Sequence, residues 1–266
     1  MTFTPTYDGF ALDSTNGVSI SGLEDLGRNS VKLDRTLGGG GALRHSLLEG
    51  RIVNIKGTVT GTTSAAVATA LDNLLAKLHQ SGQAVLGLNG SRFLDCWCSP
   101  ARVSWEAGAS GLVARWSASF MSDDAFWREA AEDSDSQVDA ASINNFEVVN
   151  AGTAPTWPTF ELVTTSTAAT GAVFLRNDTT SKECKLNNIN VIAGDTLVIN
   201  TGTGQVYIKS PANASSATPD TITGAFWELA VGTNSIDYEV SWSATSSITC
   251  TVKHYPRHHH LGDVTP

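Results

Sequence analysis

Apolar and polar residues alternate along Arg51–Ile52–Val53–Asn54–Ile55–Lys56–Gly57–Thr58–Val59. That is the period of a half-buried strand, and its Ile and Val side chains suit the pleat. After Gly61 the period changes. Val67, Leu71, Leu74, Leu75 and Leu78 share one stripe of a helix over Ser64–Gln80. Thr62, Thr63 and Ser64 are its N-cap candidates, Lys77 and His79 fall in its last turn, and Gly82 supplies the stop. Strands resume at Ala84–Leu88 and Arg92–Trp97. A further pair, Ala101–Glu106 and Leu112–Phe120, is joined by the Gly-rich turn Ala107–Gly111. One helix among many strands predicts a sheet or sandwich with a helix across one face.

From Asn144 the pattern holds only short strands parted by turn residues: Phe160–Leu162, Val173–Leu175, Cys184–Val191, Thr196–Ile199, Gln205–Ile208, Phe226–Leu229, Gly232–Asn234 and Ile236–Trp242. Ile236, Tyr238, Val240 and Trp242 alternate strictly, as do Ile248, Cys250 and Val252. Many strands with short turns and no helical period predict an antiparallel sandwich or jelly roll. Between the two β-rich stretches lies a polar, acidic segment. The expected division is a first domain over 1–130, a polar linker over 131–143, a second domain over 144–258 and a tail over 259–266. A chain of 266 residues is long enough for two cores.

Charge sharpens this division. Residues 1–130 hold 11 Lys/Arg against 12 Asp/Glu, and residues 131–266 hold 6 against 14. The C-terminal part repels nucleic acid and anionic membranes at long range, and no basic footprint marks direct, specific nucleic-acid binding. The N-terminal residues carry no signal-peptide pattern, and no stretch approaches the ~20 apolar residues of a membrane span. Synthesis in a cytoplasm without membrane insertion is the expectation.

Candidate chemistry is sparse. Cys96 and Cys98 flank Trp97 and share one strand face, but no second pair or nearby His completes a metal set. All four cysteines read as small core hydrophobes. Gly38–Gly41 lacks the Lys-Ser/Thr ending and helix of a phosphate loop and reads as a loop. His258–His259–His260 reads as an exposed tail, because successive extended residues face opposite ways and cannot share one ion. Asp123 and Asp124 face apart and read as a turn cap before Phe126–Trp127 rather than as a catalytic pair. No Gly-x-Ser-x-Gly is present. No catalytic residue, metal site or cofactor is assigned, and the chain is not expected to be an enzyme.

The order of these segments carries a resemblance. Gly27–Arg28, "RIVNIKGTVTG", "AAVATALDNLLAKL", "SRFLDCWC" and the closing "SFMSDDAFW" follow one another in an arrangement that resembles the N-terminal domain of siphophage distal tail proteins, the Dit family. "NAGTAPTWPTFEL", "INVIAGDTLVINTGTGQVYI", "FWELAVGTNSIDYEV" and "TCTVKHYPRHHH" are similar to the galectin-like C-terminal domain found in many Dit proteins. The resemblance implies a mainly β chain, with a tail-tube-like β-sandwich carrying one packed helix followed by a galectin-like antiparallel sandwich.

It also implies a role. In that reading the chain is a structural virion protein of the phage tail tip. Six copies close a ring between the tail tube and the hub or baseplate and leave a channel for DNA. Its partners are its own copies, the tail tube protein, the tail hub protein, the tape measure and receptor-binding proteins. The alternative is a carbohydrate-binding module, in which Trp227 stacks on a sugar of the host surface. Galectins clamp a galactoside with paired arginines, whereas residues 141–266 hold only Arg176 and Arg257. A hydrolase acting on cell-wall polymers is a third reading that no motif supports.

Overall fold

A computed structural model describes residues 5–25, 33–35, 41–43, 50–80, 82–88, 90–106, 110–139, 143–164, 169–191, 194–209, 221–241 and 248–259. The expected loop at 38–41 falls largely outside them. The chain divides into two compact units. One holds the residues up to Ala130 together with His258 and His259, and the other holds Ala131–Arg257.

The first unit runs through β1 (Thr6–Tyr7), β2 (Phe10–Ala11), β3 (Val18–Asp25), β4 (Leu33–Arg35), β5 (Gly41–Leu43) and β6 (Arg51–Thr60). Then come α1 (Ser64–Leu78), β7 (Ala84–Leu88), β8 (Arg92–Cys98), β9 (Arg102–Trp105), β10 (Val113–Ser122) and β11 (Trp127–Glu129). The main sheet has the order β2-β1-β7-β8-β10-β6-β3, with β9 beside β10 and β11 beside β8. Its spine is the antiparallel pair β6 and β10, in register from Arg51↔Ser122 to Thr60↔Val113. Such a long unbroken register follows from strict alternation on both strands, because a slip of one residue would turn every core side chain outward.

Val53, Ile55 and Val59 of β6 and Ala114, Trp116, Ala118 and Phe120 of β10 point to one side and are buried. There α1 lays Val67, Leu71, Leu74 and Leu78 onto the same cluster. Thr63 caps the helix, its hydroxyl accepting from the Ala66 amide at 3.1 Å, which satisfies one of the free amides of the first turn. The helix ends at Leu78 rather than running to Gln80, and the amide of its C-cap His79 closes onto the Leu75 carbonyl. Gly57 has a packing reason. A Cβ there would run into the Ser19 carbonyl of β3, so only glycine lets the two strands approach.

The second unit holds β12 (Asp133–Asp139), β13 (Ile143–Asn150), β14 (Thr159–Thr164), β15 (Ala169–Asn177), β16 (Lys182–Val191), β17 (Thr196–Asn200), β18 (Gln205–Lys209), β19 (Thr221–Gly224), β20 (Gly232–Val240) and β21 (Ile248–His254). They form two antiparallel five-stranded sheets, β12-β21-β14-β17-β18 and β13-β20-β15-β16-β19. Phe160, Leu162, Leu197, Ile199, Cys250 and Val252 from the first sheet meet Val148, Val173, Leu175, Leu186, Ile236 and Tyr238 from the second in one core. This is a sandwich of two inward apolar faces.

Several expectations change. The acidic segment is no free linker: Asp133–Asp139 is an edge strand paired residue for residue with β21, Asp133↔His254 through Asp139↔Ile248. Its own side chains carry no apolar alternation, so the ladder hydrogen bonds rather than burial define it. Phe226–Leu229 is not a strand, although Leu229 bridges Thr156. The two segments expected at Gly232–Asn234 and Ile236–Trp242 are one strand that ends at Val240, and Trp242 lies outside the described residues.

Candidate interaction surfaces

The first unit buries a charged cluster at the start of its longest strand. Arg51 shares the inward phase of Val53 and Ile55 and is 2% exposed. Its Nη1 donates to Asp25 Oδ2 at 2.8 Å and its Nε to the Ala125 carbonyl at 3.1 Å, while Nη2 reaches the His259 carbonyl. The guanidinium also stands over the Trp127 ring, 5.7 Å from its centroid, and Trp127 Nε1 donates to Asp25 Oδ2 at 3.2 Å. Burial weighs against the charge of Arg51, and Asp25 and Asp124 offset it. A planar fork with five donors can satisfy three acceptors at once, which a lysine could not.

Beside it, Glu129 Oε1 accepts from Arg92 Nη1 at 2.8 Å and lies 2.9 Å from His258 Nε2. His258 is therefore not in an exposed tail. It is 3% exposed, and His259 packs edge-on against Phe126 at 5.4 Å between centroids. His260 lies outside the described residues. The expected tail reading fails because these residues find carboxylate, guanidinium and aromatic partners far away in sequence. Asp124 does cap a turn: its Oδ1 accepts from the Phe126 amide at 3.0 Å.

Among the described residues, the opposite face of the main sheet is open. Cross-strand register arranges it in rows. Trp97, Met121 and Ile52 form one row across β8, β10 and β6. Ser119, Asn54 and Glu24 form the next across β10, β6 and β3. Arg102, Ser117 and Lys56 follow across β9, β10 and β6, and then Ser104, Arg115, Thr58 and Ser19. Ser119 Oγ donates to Asn54 Oδ1 at 2.6 Å, and the Ser19 and Thr58 hydroxyls lie 2.6 Å apart. Arg115 pairs with Glu106 at 2.9 Å. A groove of about 960 Å³ runs along this face, lined among others by Glu24, Asn54, Lys56, Arg102, Ser117 and Ser119.

In the second unit, Trp227 is 1% exposed and sits edge-on against Phe160, 5.4 Å between centroids. It presents no ring face to a ligand, which removes it as a glycan contact. Arg176 is held by Asp178 and by Asp237, the latter at 3.1 Å. The cysteines are free thiols. Burial pushes Cys96 up to about 12 and Cys98 and Cys184 to about 11, and raises Cys250 further. These groups are poor nucleophiles and poor metal ligands near neutrality. Among the described residues no three His, Cys, Asp or Glu side chains converge as a metal set would.

Residues 151–258 match the family described as siphovirus-type tail component, C-terminal domain. A search of curated proteins finds no match. Among solved structures, the crystal structure of the Dit protein (gp 19.1) of phage SPP1, described as a paradigm of hub adsorption apparatus in phages infecting Gram-positive hosts, superposes with a TM-score of 0.65 at 19% identity. The match covers 95% of this chain and 99% of that one. Two structures of the phage P2 baseplate in its activated conformation give TM-scores of 0.41 with calcium and 0.43 with strontium. Their identities are 11% and 10%, covering 95% and 94% of this chain and 98% of each matched chain. The C-terminal family match over residues 151–258 and the fold shared along the whole chain agree with the order of segments by which the sequence resembles the Dit family.

Proposed function

We propose that this chain is a phage tail component of the Dit type that closes a six-fold ring between the tail tube and the hub of a long-tailed phage and leaves a channel through which DNA passes. The observation that carries this reading is the fold shared along the whole chain with the Dit protein of phage SPP1, described as a paradigm of hub adsorption apparatus, together with the tail-component match over residues 151–258. A head-to-tail contact repeated by rotation closes such a ring. The second unit then serves as the docking platform for baseplate or receptor-binding proteins. The role is structural and non-enzymatic: the buried charges around Arg51 and Glu129 are held by internal pairing, and the thiols are protonated. No helix among the described residues is long and apolar enough to cross a membrane. In this reading the chain is made in the host cytoplasm and ends in the virion.

Electron cryomicroscopy of purified tails tests it. The expected density at the tube's distal end is a ring of six copies of this chain around an open channel. A ring of different symmetry, or copies placed elsewhere in the virion, would overturn it.

A further inference from the structure

We propose that the open face of the first unit's sheet seats a polypeptide segment of another protein, one that carries an apolar side chain and, further along, carboxylates. Two features of the face, one apolar and one charged, call for that occupant. Trp97, Met121 and Ile52 are direct cross-strand neighbours on three successive strands. They are 40%, 43% and 42% exposed. A contiguous Trp–Met–Ile row left in water is the composition of an interface centre, not of a solvated sheet face. Four residues along the same strands, Lys56 and Arg102 flank Ser117. Among the described residues neither forms an ion pair or side-chain hydrogen bond, whereas Arg51, Arg92, Arg115 and Arg128 are all paired. Glu24 lines the same groove but makes no ion pair with them. At about 3.4 Å per residue the apolar row and the cationic row lie about 14 Å apart, the span of an extended four-residue segment. Nucleic acid fits less well. It would use two cations and leave the apolar row wet, while an apolar anchor followed by carboxylates satisfies both rows. A second copy meeting this face with its own equivalent face would set cation against cation.

Where the partner is met rests on the proposed tail location; the chemistry of the face does not. The test places the photo-crosslinker benzoylphenylalanine at Met121 in the full chain, assembled into tails. A control places it at Thr60, at the far end of the same face. Illumination is expected to join Met121 variants, and not Thr60 variants, to a different polypeptide. Mass spectrometry of the adduct should find an apolar residue and a carboxylate within about four positions. Adding Lys56→Glu and Arg102→Glu should lower adduct yield at least about tenfold, with melting of the isolated variant unchanged. Adducts with DNA or with other copies of this chain, equal yields from both positions, insensitivity to the charge reversals, or no adduct would each overturn the inference. Tails that lack the chain altogether would instead refute the proposed function.

Discussion

The guanidinium of Arg51 and the carbonyl of His259 are hydrogen-bonded across 208 residues of sequence, inside a site that also holds Asp25 and stacks on Trp127. The first unit is thus completed by residues made after the second. Removing one member of a buried charge pair leaves the other desolvated and unpaired. Arg51→Met is therefore expected to destabilise the first unit by about 3–5 kcal/mol. Arg51→Lys should recover little of it, because an ammonium cannot reproduce the fork. Urea unfolding followed by tryptophan fluorescence checks this, and a lysine variant as stable as the parent would show that the fork geometry is dispensable.

Leu74 is fully buried between α1 and the sheet. Leu74→Ala should cost about 2–5 kcal/mol, the range for deleting a leucine side chain from a packed core. Leu75, on the half-buried flank of the same helix, should cost less when changed in the same way. Denaturant midpoints of the two variants give the comparison, and equal losses would mean that the helix is rotated from the face assigned to it.

His254 is 2% exposed and ends β21 opposite Asp133. Burial lowers its pKa, while the charges of Asp133, Asp135 and Glu132 oppose that shift. A group whose folded pKa lies below its unfolded value binds fewer protons when folded. Its contribution is therefore intact above the unfolded pKa of about 6.5 and is lost as pH falls from there toward the folded pKa. The second unit should unfold at lower urea at pH 5.5 than at pH 7.5, and His254→Phe should flatten that dependence. A parent protein with the same midpoint at both values would contradict the assignment.

The thiols provide a fourth test. With Cys96 near 12, Cys184 near 11 and Cys250 higher still, thiolate populations at pH 8 are small. Ellman's reagent should react slowly with the folded protein, first at the half-buried Cys98, and rapidly with all four cysteines in guanidinium. Rapid reaction of Cys250 in the folded state would mean that the second sandwich opens locally.

What could be read from sequence depended on whether a side chain's own burial defines its element. β6 and α1 announce themselves, because Val53, Ile55, Val59 and the Val67–Leu78 stripe repeat with the period of their structure. The second sandwich was legible for the same reason at Tyr238 and Cys250. β12 was not, since Asp133, Ser134, Asp135 and Ser136 form a strand only through the backbone of β21. The two-residue strands β1 and β2 are too short to show any period. Trp227 lay in a stretch read as a strand, and the packing of Phe160 against it is a contact between residues 67 positions apart that no local pattern shows. Arg51 left one usable signal: it occupies the inward phase of a strand whose other inward residues are apolar or glycine. A charge at such a position must be paired. The partners, Asp25 and the Ala125 and His259 carbonyls, could not be found without coordinates.

The return of His258 and His259 to the first unit has a consequence for synthesis. At about 5–20 residues per second, the 208 residues between Arg51 and its last acceptor take about 10–40 s to emerge. All of the second unit, continuous from Ala131 to Arg257, is made within that interval, its last residue two positions before His259. The first-made half of the chain therefore cannot complete its charged cluster until the second half has been made, and a guanidinium waits for a carbonyl the ribosome has not yet delivered.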